Sequence, residues 1–393
     1  MFSTQRISSV MFISLIRQRL YHGYWTVSVQ RCSRNFSRVL FSQACRTFSD
    51  SHSTKDLNKP VKQWDLSVSP FTKIKCHLGC NISIKPLDPH VFPEADRAFI
   101  KVQRTDANPD LNLDRFYVYY DPQSSELQIL GNEINSDAVS VELTAPVKCD
   151  LHIKTINNGN VNIEKMESDV CHVHTDQGHC VLKAMKGHEV LVHSTGGNVT
   201  GLETIHGNVE IKGFRNSNVD LKKIQGTSMN LSTEHGLLKV KAIYGESTTV
   251  STSSGNIQIG HIHGEAVVQS ETGNIVIDSS SGSLKVHTAA GNIDTYVGHD
   301  GTAELHTQQG TLSLRVPSTI KTGVELCGTS IDISSEISCQ ETERTSSDGK
   351  MTVTAYLNGD MYEERWIKAT ADKGAISLRT QSWFETLRLG AES

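Results

Sequence analysis

Aromatic residues are scarce in this chain, at 6% of 393 positions, and only four are tryptophan. That excludes a large globular core built on rings and leaves a thin interior of Val, Ile and Leu. No apolar stretch reaches the roughly 18–20 residues that a membrane-spanning helix needs, so no transmembrane segment is expected. Residues 1–49 contain no Lys, Asp or Glu, yet hold seven Arg. Of 38 basic residues, 31 therefore remain beyond them, against 43 acidic ones. A body with a charge of about −12 repels nucleic acid, and no basic stripe or RNA-reading aromatic motif offsets this. Missing too are a phosphate-binding glycine loop before a helix, a Gly-x-Ser-x-Gly elbow and a His-Glu-x-x-His pair. The nine cysteines are irregularly spaced and do not form a disulfide framework. No cofactor is implied.

What the chain has instead is a phrase that returns. It reads Gly159-Asn160-Val161-Asn162-Ile163, then Gly197-Asn198-Val199, Gly255-Asn256-Ile257, Gly273-Asn274-Ile275 and Gly291-Asn292-Ile293. Weaker copies begin at Gly178, Ser217, Gly236 and Gly310. The phrase occurs nine times at a step of 18 to 20 residues, and a fixed short period is the mark of a solenoid. Within the repeats, apolar residues alternate after the Gly-Asn and again before the next Gly, and Ser or Thr usually stands three places ahead of that Gly. Alternation is the strand period. The expected fold is all-β: a parallel β-solenoid of about nine coils of roughly 19 residues, two strands per coil, with irregular β caps at both ends. A second glycine column (Gly187, Gly207, Gly226, Gly245, Gly264, Gly282) marks the other corner, where positive φ is expected. The asparagines Asn160, Asn198, Asn218, Asn256, Asn274 and Asn292 are expected to stack at one corner, each amide bonding corner backbone or the next Asn. Asn also tolerates the left-handed conformation there. Together with Gly159, Gly197, Gly255, Gly273 and Gly291 they are the structural residues. The competing reading is a run of ordinary hairpins, which Asn-Gly and Gly-Asn also mark.

Outside the repeats, residues 1–49 have the composition of a mitochondrial transit peptide: cationic, Ser-rich and acid-free. Arg46-Thr47-Phe48-Ser49 resembles a processing site, and a matrix location is expected. Residues 50–60 read as a polar linker. Residues 61–150 are β-rich but off-period, an irregular module or N-terminal cap, with a separate small β domain as the alternative. Residues 151–316 are the regular repeats and 317–393 further coils with an aromatic cap (Tyr362, Trp366, Trp383, Phe384). Glu336–Asp348 is polar and is read as a loop.

Two constellations could carry chemistry. Cys76-His77-Leu78-Gly79-Cys80 has metal-ligand residue types but no second pair at zinc spacing, and reads as strand–turn–strand. His174 and His193 lie at equivalent outward positions on adjacent coils, as do His287 and His306, close enough for two imidazoles to share a metal. With His172, and with His179 and His188 nearby, this is the candidate metal patch; solvated histidines on a sheet face are the plainer reading. Cys171 and Cys180 fall at inward positions. Some parallel β-helices are lyases or hydrolases, which need paired carboxylates on one face. The outward positions here (Glu210, Lys239, Gln258, Val276, Asp294, Ser313) are mixed, so catalysis is not expected.

The phrase Ser/Thr-x-x-Gly-Asn-Val/Ile, as in 252–257, 194–199 and 288–293, resembles the adhesin-like β-solenoid repeats of bacteria. The resemblance covers about 150–380 and implies architecture. It brings no catalytic residues, and its cell-surface setting does not agree with the Arg-rich leader. The expected role is a non-enzymatic mitochondrial scaffold binding a protein or a polysaccharide-like macromolecule. The alternatives are a carbohydrate-active or other hydrolytic β-helix and a metal-binding protein.

Overall fold

A strand of alternating Val or Ile with polar residues cannot bury its apolar face alone, so each copy stacks on the next. In a computed structural model of the chain, residues 60–104, 115–359 and 365–381 are described, side chains at 132–138 and 341 excepted. The leader, nearly all of the linker, and Tyr362, Trp383 and Phe384 lie outside the described residues. The described residues lie in one compact unit. Its described residues are strands and turns, with no helix among them.

The strands are β1 (Lys62–Ser67), β2 (Lys73–Pro86), β3 (Arg97–Arg104), β4 (Tyr117–Asp121), β5 (Glu126–Ala145), β6 (Asp150–Thr155), β7 (Val161–Glu164) and β8 (Glu167–Thr175). Next come β9 (Cys180–Lys183), β10 (Met185–Ser194), β11 (Val199–Gly213), β12 (Val219–Thr233), β13 (Leu238–Thr252), β14 (Ile257–Thr272), β15 (Ile275–Ala290) and β16 (Ile293–Val297). The last are β17 (Thr302–Gln309), β18 (Leu312–Val316), β19 (Thr322–Gly328), β20 (Ser330–Ile333), β21 (Cys339–Ser347), β22 (Lys350–Leu357), β23 (Trp366–Ala371) and β24 (Ala375–Thr380).

Through the repeats every pairing is parallel, in register along the strand stretches and shifted by one residue at some of the bends between them. Val199 faces Val219, which faces Leu238, Ile257, Ile275, Ile293 and Leu312 in turn. All of these are buried. Parallel stacking excludes the hairpin reading for this region. The second corner departs from the expected tight turn. In β11 to β15 the ladder continues through it as a short third segment, such as Lys223–Gln225 against Ala242–Tyr244. The column Met185, Ile205, Ile224, Ile243 and Ile262 points inward there and is buried. The apolar residue before each second glycine is thus core, so the chain bends at the corner without leaving the sheet.

Both glycine columns are held by close contact, and members of each by positive φ as well. Gly207, Gly264 and Gly282 in the second have φ of 132°, 99° and 106°, the region that favours glycine, as do Gly273 and Gly310 in the first. A Cβ on Gly197 would lie inside the carbonyl of Gly178 on the coil beside it, and one on Gly207 inside that of Gly187. The asparagines do not occupy left-handed backbone, which is found instead at Asn157, Lys165, Ala184 and Arg215. Asn serves through its side chain. Asn256 Oδ1 accepts the N–H of Asn274 at 2.9 Å, and Asn274 Oδ1 accepts that of Asn292 at 2.9 Å. Asn292 Oδ1 then accepts from Thr311 N–H at 2.9 Å, while Asn160, Asn198 and Asn218 do the same for His179, Asn218 and Leu237. A neutral amide suits this column, because carboxylates stacked at the roughly 4.8 Å strand spacing would repel one another. Asn274→Ala should cost about 1 kcal/mol, the ordinary net worth of one hydrogen bond. Asn274→Asp, which keeps the acceptor, should recover most of it in urea unfolding.

The Ser/Thr column has its own use. Its hydroxyls point inward, and several bind the corner: Thr233 Oγ1 donates to Gly236 O at 3.0 Å, and Gly255 N–H donates to Thr252 Oγ1 at 3.0 Å.

The ends depart most from the expectation. At the first end, β2 lies between β5 on one side and β6 with β7 on the other, all parallel. The coil made by β5 is thus outermost although it follows β2 in sequence. Antiparallel β4 and β3 cover β5, and β1 covers β3. At the second end, β23 sits between β17 and β19, and β24 between β18 and β20. The chain skips one position in the ladder and fills it later. Antiparallel β22 covers β19, and β21 pairs with β22. The 61–150 stretch therefore contributes coils to the same sheet as the repeats.

Two local expectations are corrected. Cys76–Cys80 is not strand–turn–strand, because β2 passes through it unbroken with register shifts at Leu78 to Asn81. Most of Glu336–Asp348 is strand β21 rather than loop. Asp348 and Gly349, at φ 53° and 74°, make the two-residue hairpin turn into β22.

Candidate functional site

The outward positions of the ladder formed by β6, β8, β10 and the later halves of β11 to β15 gather the histidines. Register makes two columns. One carries His152 and His172 with Leu191 and Glu210; its neighbour carries His77, Lys154, His174, His193 and Lys212. The same second column resumes, after Ser232, Ser251 and Gln269, with His287 and His306.

Register brings His174 and His193 opposite each other, and places His172 in the adjoining column. His172 meets His152 edge-on, with ring centroids 5.1 Å apart, and its Nε2 lies 3.5 Å from Glu189. His193 Nε2 lies 3.5 Å from Glu210 Oε1, and Lys212 Nζ reaches the same oxygen at 2.5 Å. His179 belongs to the corner: its Nδ1 accepts the N–H of Asn198 at 3.0 Å, standing in for a column asparagine. His188 is exposed. Among the described residues no group of three His, Cys, Asp or Glu side chains converges to hold a metal.

Four histidines of this face share one electrostatic condition. Burial lowers the pKa of His77, helped by Lys154; of His152, helped by His172; and of His174, helped by Lys154 and His193. Burial also lowers that of His193, against the opposing pull of Glu210. Each folded value lies below the unfolded one near 6.5, so the unfolded chain takes up protons first. The stability from this source is fully present above about pH 6.5 and is lost as pH falls through the folded values. Urea midpoints should fall from about pH 7.5 to about 5.5, and His174→Gln with His193→Gln should flatten that slope.

At the far end of the column the rings meet directly. His287 Nδ1 lies 3.1 Å from His306 Nδ1, and His306 Nε2 lies 2.9 Å from Asp372 Oδ2. Lys350 Nζ donates to Asp372 Oδ1 at 2.9 Å. Hydrogen bonds from His306, then Lys350, hold the Asp372 carboxyl below its ordinary range. The spacing of Asp372 from His306 in sequence gives no sign of this contact, which exists only because β23 enters the ladder out of order.

The cysteines of the early coils are interior. Cys76, Cys80, Cys149, Cys171 and Cys180 are buried thiols, and burial raises the pKa of each, for Cys80 to about 12. Two aromatic pairs stand at the ends. Trp366 packs on Gly323 and lies 5.5 Å from Tyr356, and Trp64 lies 5.3 Å from Phe116.

The geometry defines a class: an all-β protein of parallel, solenoid-like coils with polar outer faces. A family profile described as Toastrack DUF4097 matches residues 202–357, less than half of the chain. Among solved structures, a provisionally named adhesin from Parabacteroides merdae is similar at 14% identity, covering 65% of this chain and 97% of that one, with a TM-score of 0.34. A provisionally named cell adhesion protein from Clostridium sporogenes is similar at 12% identity over 82% of this chain and 100% of its own, TM-score 0.18. A third, from Bacteroides fragilis, has 14% identity over 82% and 98%, TM-score 0.21. The fold described here rests on its own strand pairing and not on these scores.

Proposed function

We propose that this chain is a non-enzymatic binding protein that scaffolds another macromolecule, a protein or a polysaccharide-like chain, along the outer faces of its coils, and that it does so in mitochondria. One observation carries the reading: the outward column Ser83, Asn162, Val181, Thr200, Asp220, Lys239 and Gln258 continues from coil to coil in register, with side chains of mixed kind. Such a face offers many weak contacts at a fixed repeat spacing, which suits an extended partner better than a small substrate. The adhesion label of the similar bacterial proteins agrees with binding as the general role. The Arg-rich, acid-free composition of 1–49 supports the mitochondrial address.

Proximity labelling from the full chain tests both parts. A reproducible set of mitochondrial neighbours, lost when Thr200, Lys239 and Gln258 are all changed to Glu, is the expected result. Labelling confined to cytosolic proteins would remove the address, and a neighbour set indifferent to the triple change would remove the binding face. Independently, residues 1–60 should carry a fluorescent protein into mitochondria, and Arg34→Glu with Arg38→Glu should weaken that import.

A further inference from the structure

We propose that His287 and His306 together form an open site for one divalent late first-row metal ion, copper(II) most tightly, held through the two Nδ1 atoms with Asp372 as a positioning residue. Three pairs of histidines stand in register on adjacent coils: His152 with His172, His174 with His193, and His287 with His306. In the first pair the rings meet edge to face. In the second, His193 Nε2 is directed to Glu210. In the third, two ring nitrogens face one another at 3.1 Å.

That separation fits a chelated ion. With metal–nitrogen bonds of about 2.0–2.1 Å, nitrogens this far apart subtend about 95–100° at the metal. This is close to the cis angle of a tetragonal or octahedral ion, and each ring turns so that its Nδ1 lone pair leaves the N···N line by about 40° to meet the ion. Imidazole suits copper, nickel and zinc, and the order of divalent affinities puts copper(II) first. The protein supplies two donors, so the remaining positions belong to water or to a ligand brought by a partner. The His306 side chain is 36% exposed, which gives the ion a way in.

The surroundings orient one ring for this role. A metal-binding histidine characteristically donates its other N–H to a carboxylate, which fixes the tautomer and raises the basicity of the ligating nitrogen. His306 makes that bond, Nε2 to Asp372 Oδ2 at 2.9 Å. The ring proton thus sits on Nε2, and Nδ1 presents its lone pair. Asp372 is itself fixed twice: its other oxygen takes Lys350 Nζ at 2.9 Å, and its backbone N–H donates to Thr307 O at 2.9 Å. Without an ion, His287 Nδ1–H donates to His306 Nδ1. On loading, His287 moves its proton to Nε2, its Nδ1 lone pair turns to the metal, and no net proton is released. The four residues come from β15, β17, β22 and the turn after β23, segments up to 85 positions apart in sequence.

The test uses the full chain without an affinity tag, titrated with copper(II) chloride and with zinc(II) chloride by calorimetry, and examined by copper(II) electron paramagnetic resonance. One saturable site is expected, with hyperfine coupling to two nitrogens. His287→Gln and His306→Gln should each remove that site and the two-nitrogen signal. Asp372→Asn should keep the signal but weaken affinity by about 10–100-fold, whereas His174→Gln with His193→Gln should leave both unchanged. Circular dichroism and the urea midpoint establish that each variant is folded; should one His variant not fold, the other decides. No saturable site in the parent chain, or a site that survives both His287→Gln and His306→Gln, would overturn the proposal.

Discussion

A chain that stops at Gly359 should lose its C-terminal end as a cooperative structure while the central coils stay folded. The missing segment contains β23 and β24, which fill a position flanked on both sides by other strands. Ile367, Ile376 and Leu378 are fully buried there, at 0–1% exposure, with Ala369 and Ala371 beside them. The three large side chains alone account for about 5–9 kcal/mol of burial, at about 1.5–3 each. That is comparable with the entire stability of an ordinary domain, about 5–15 kcal/mol. Removing the segment also strips the ladder hydrogen bonds from one edge of β17 and β18 and from one edge of β19 and β20. In a stacked array, stability is a sum of neighbour interfaces, so the damage should remain local. Hydrogen exchange is the measurement: protection should vanish over about 322–357, weaken over 302–316, where one edge stays paired, and persist over 199–277. Unchanged protection in 302–333 would mean that β19 and β20 do not depend on the inserted coil, contrary to the pairing.

The second large effect separates two adjacent glycines. Gly196→Ala should be nearly neutral, because a Cβ there meets nothing nearer than the Asp176 carbonyl at 3.6 Å, an ordinary contact. Gly197→Ala should cost about 3–5 kcal/mol, the range reached when a buried contact has no room to give. Its Cβ would coincide with the carbonyl of Gly178 and stand 2.9 Å from that of Gln177, both backbone atoms locked in the stack. Neither atom can swing aside as the tip of a side chain would. Urea unfolding of the two variants against the parent chain measures the difference. Equal midpoints would mean that the corner is not close-packed.

Much of this was legible because the ladder repeats its demands. Val199, Ile257 and Ile275 are fully buried, and period-2 alternation in the sequence is enough to place them inside. The same applies to the Ser/Thr three places before most corner glycines, whose parity is inward. What the alternation hides is which neighbour a strand takes. Residues 81–84 read as one more repeat strand, yet nothing local says that β5 will lie beyond them and β7 on their other side. β23 is equally silent about the position that it occupies between β17 and β19. Pairing in a sheet is set by long-range competition among similar edges, and these edges are nearly interchangeable in sequence. The β21–β22 hairpin did carry a local signal in Asp348-Gly349. The polar residues Gln340 to Ser347 masked it, because neither face of β21 is buried and no alternation shows.

The histidine clusters were half legible. A shared outward register follows from the repeat, and it brings His174 to His193 and His287 to His306. The partner that distinguishes the two pairs, Asp372, lies 66 residues from His306 and reaches it through the inserted coil.

The order in which a ribosome delivers the chain now matters. Residues up to Ile333 emerge well before Trp366, and at about 5–20 residues per second the interval is a few seconds. Throughout that time the two flanks of the vacant position face solvent with unmatched amide and carbonyl groups, and any other extended polypeptide of suitable alternation can bond to them. Faithful maturation of this molecule is therefore a race between its own last strands and foreign ones, and crowding, chaperones that cover sheet edges, and the pace of translation near the end of the message all set who wins.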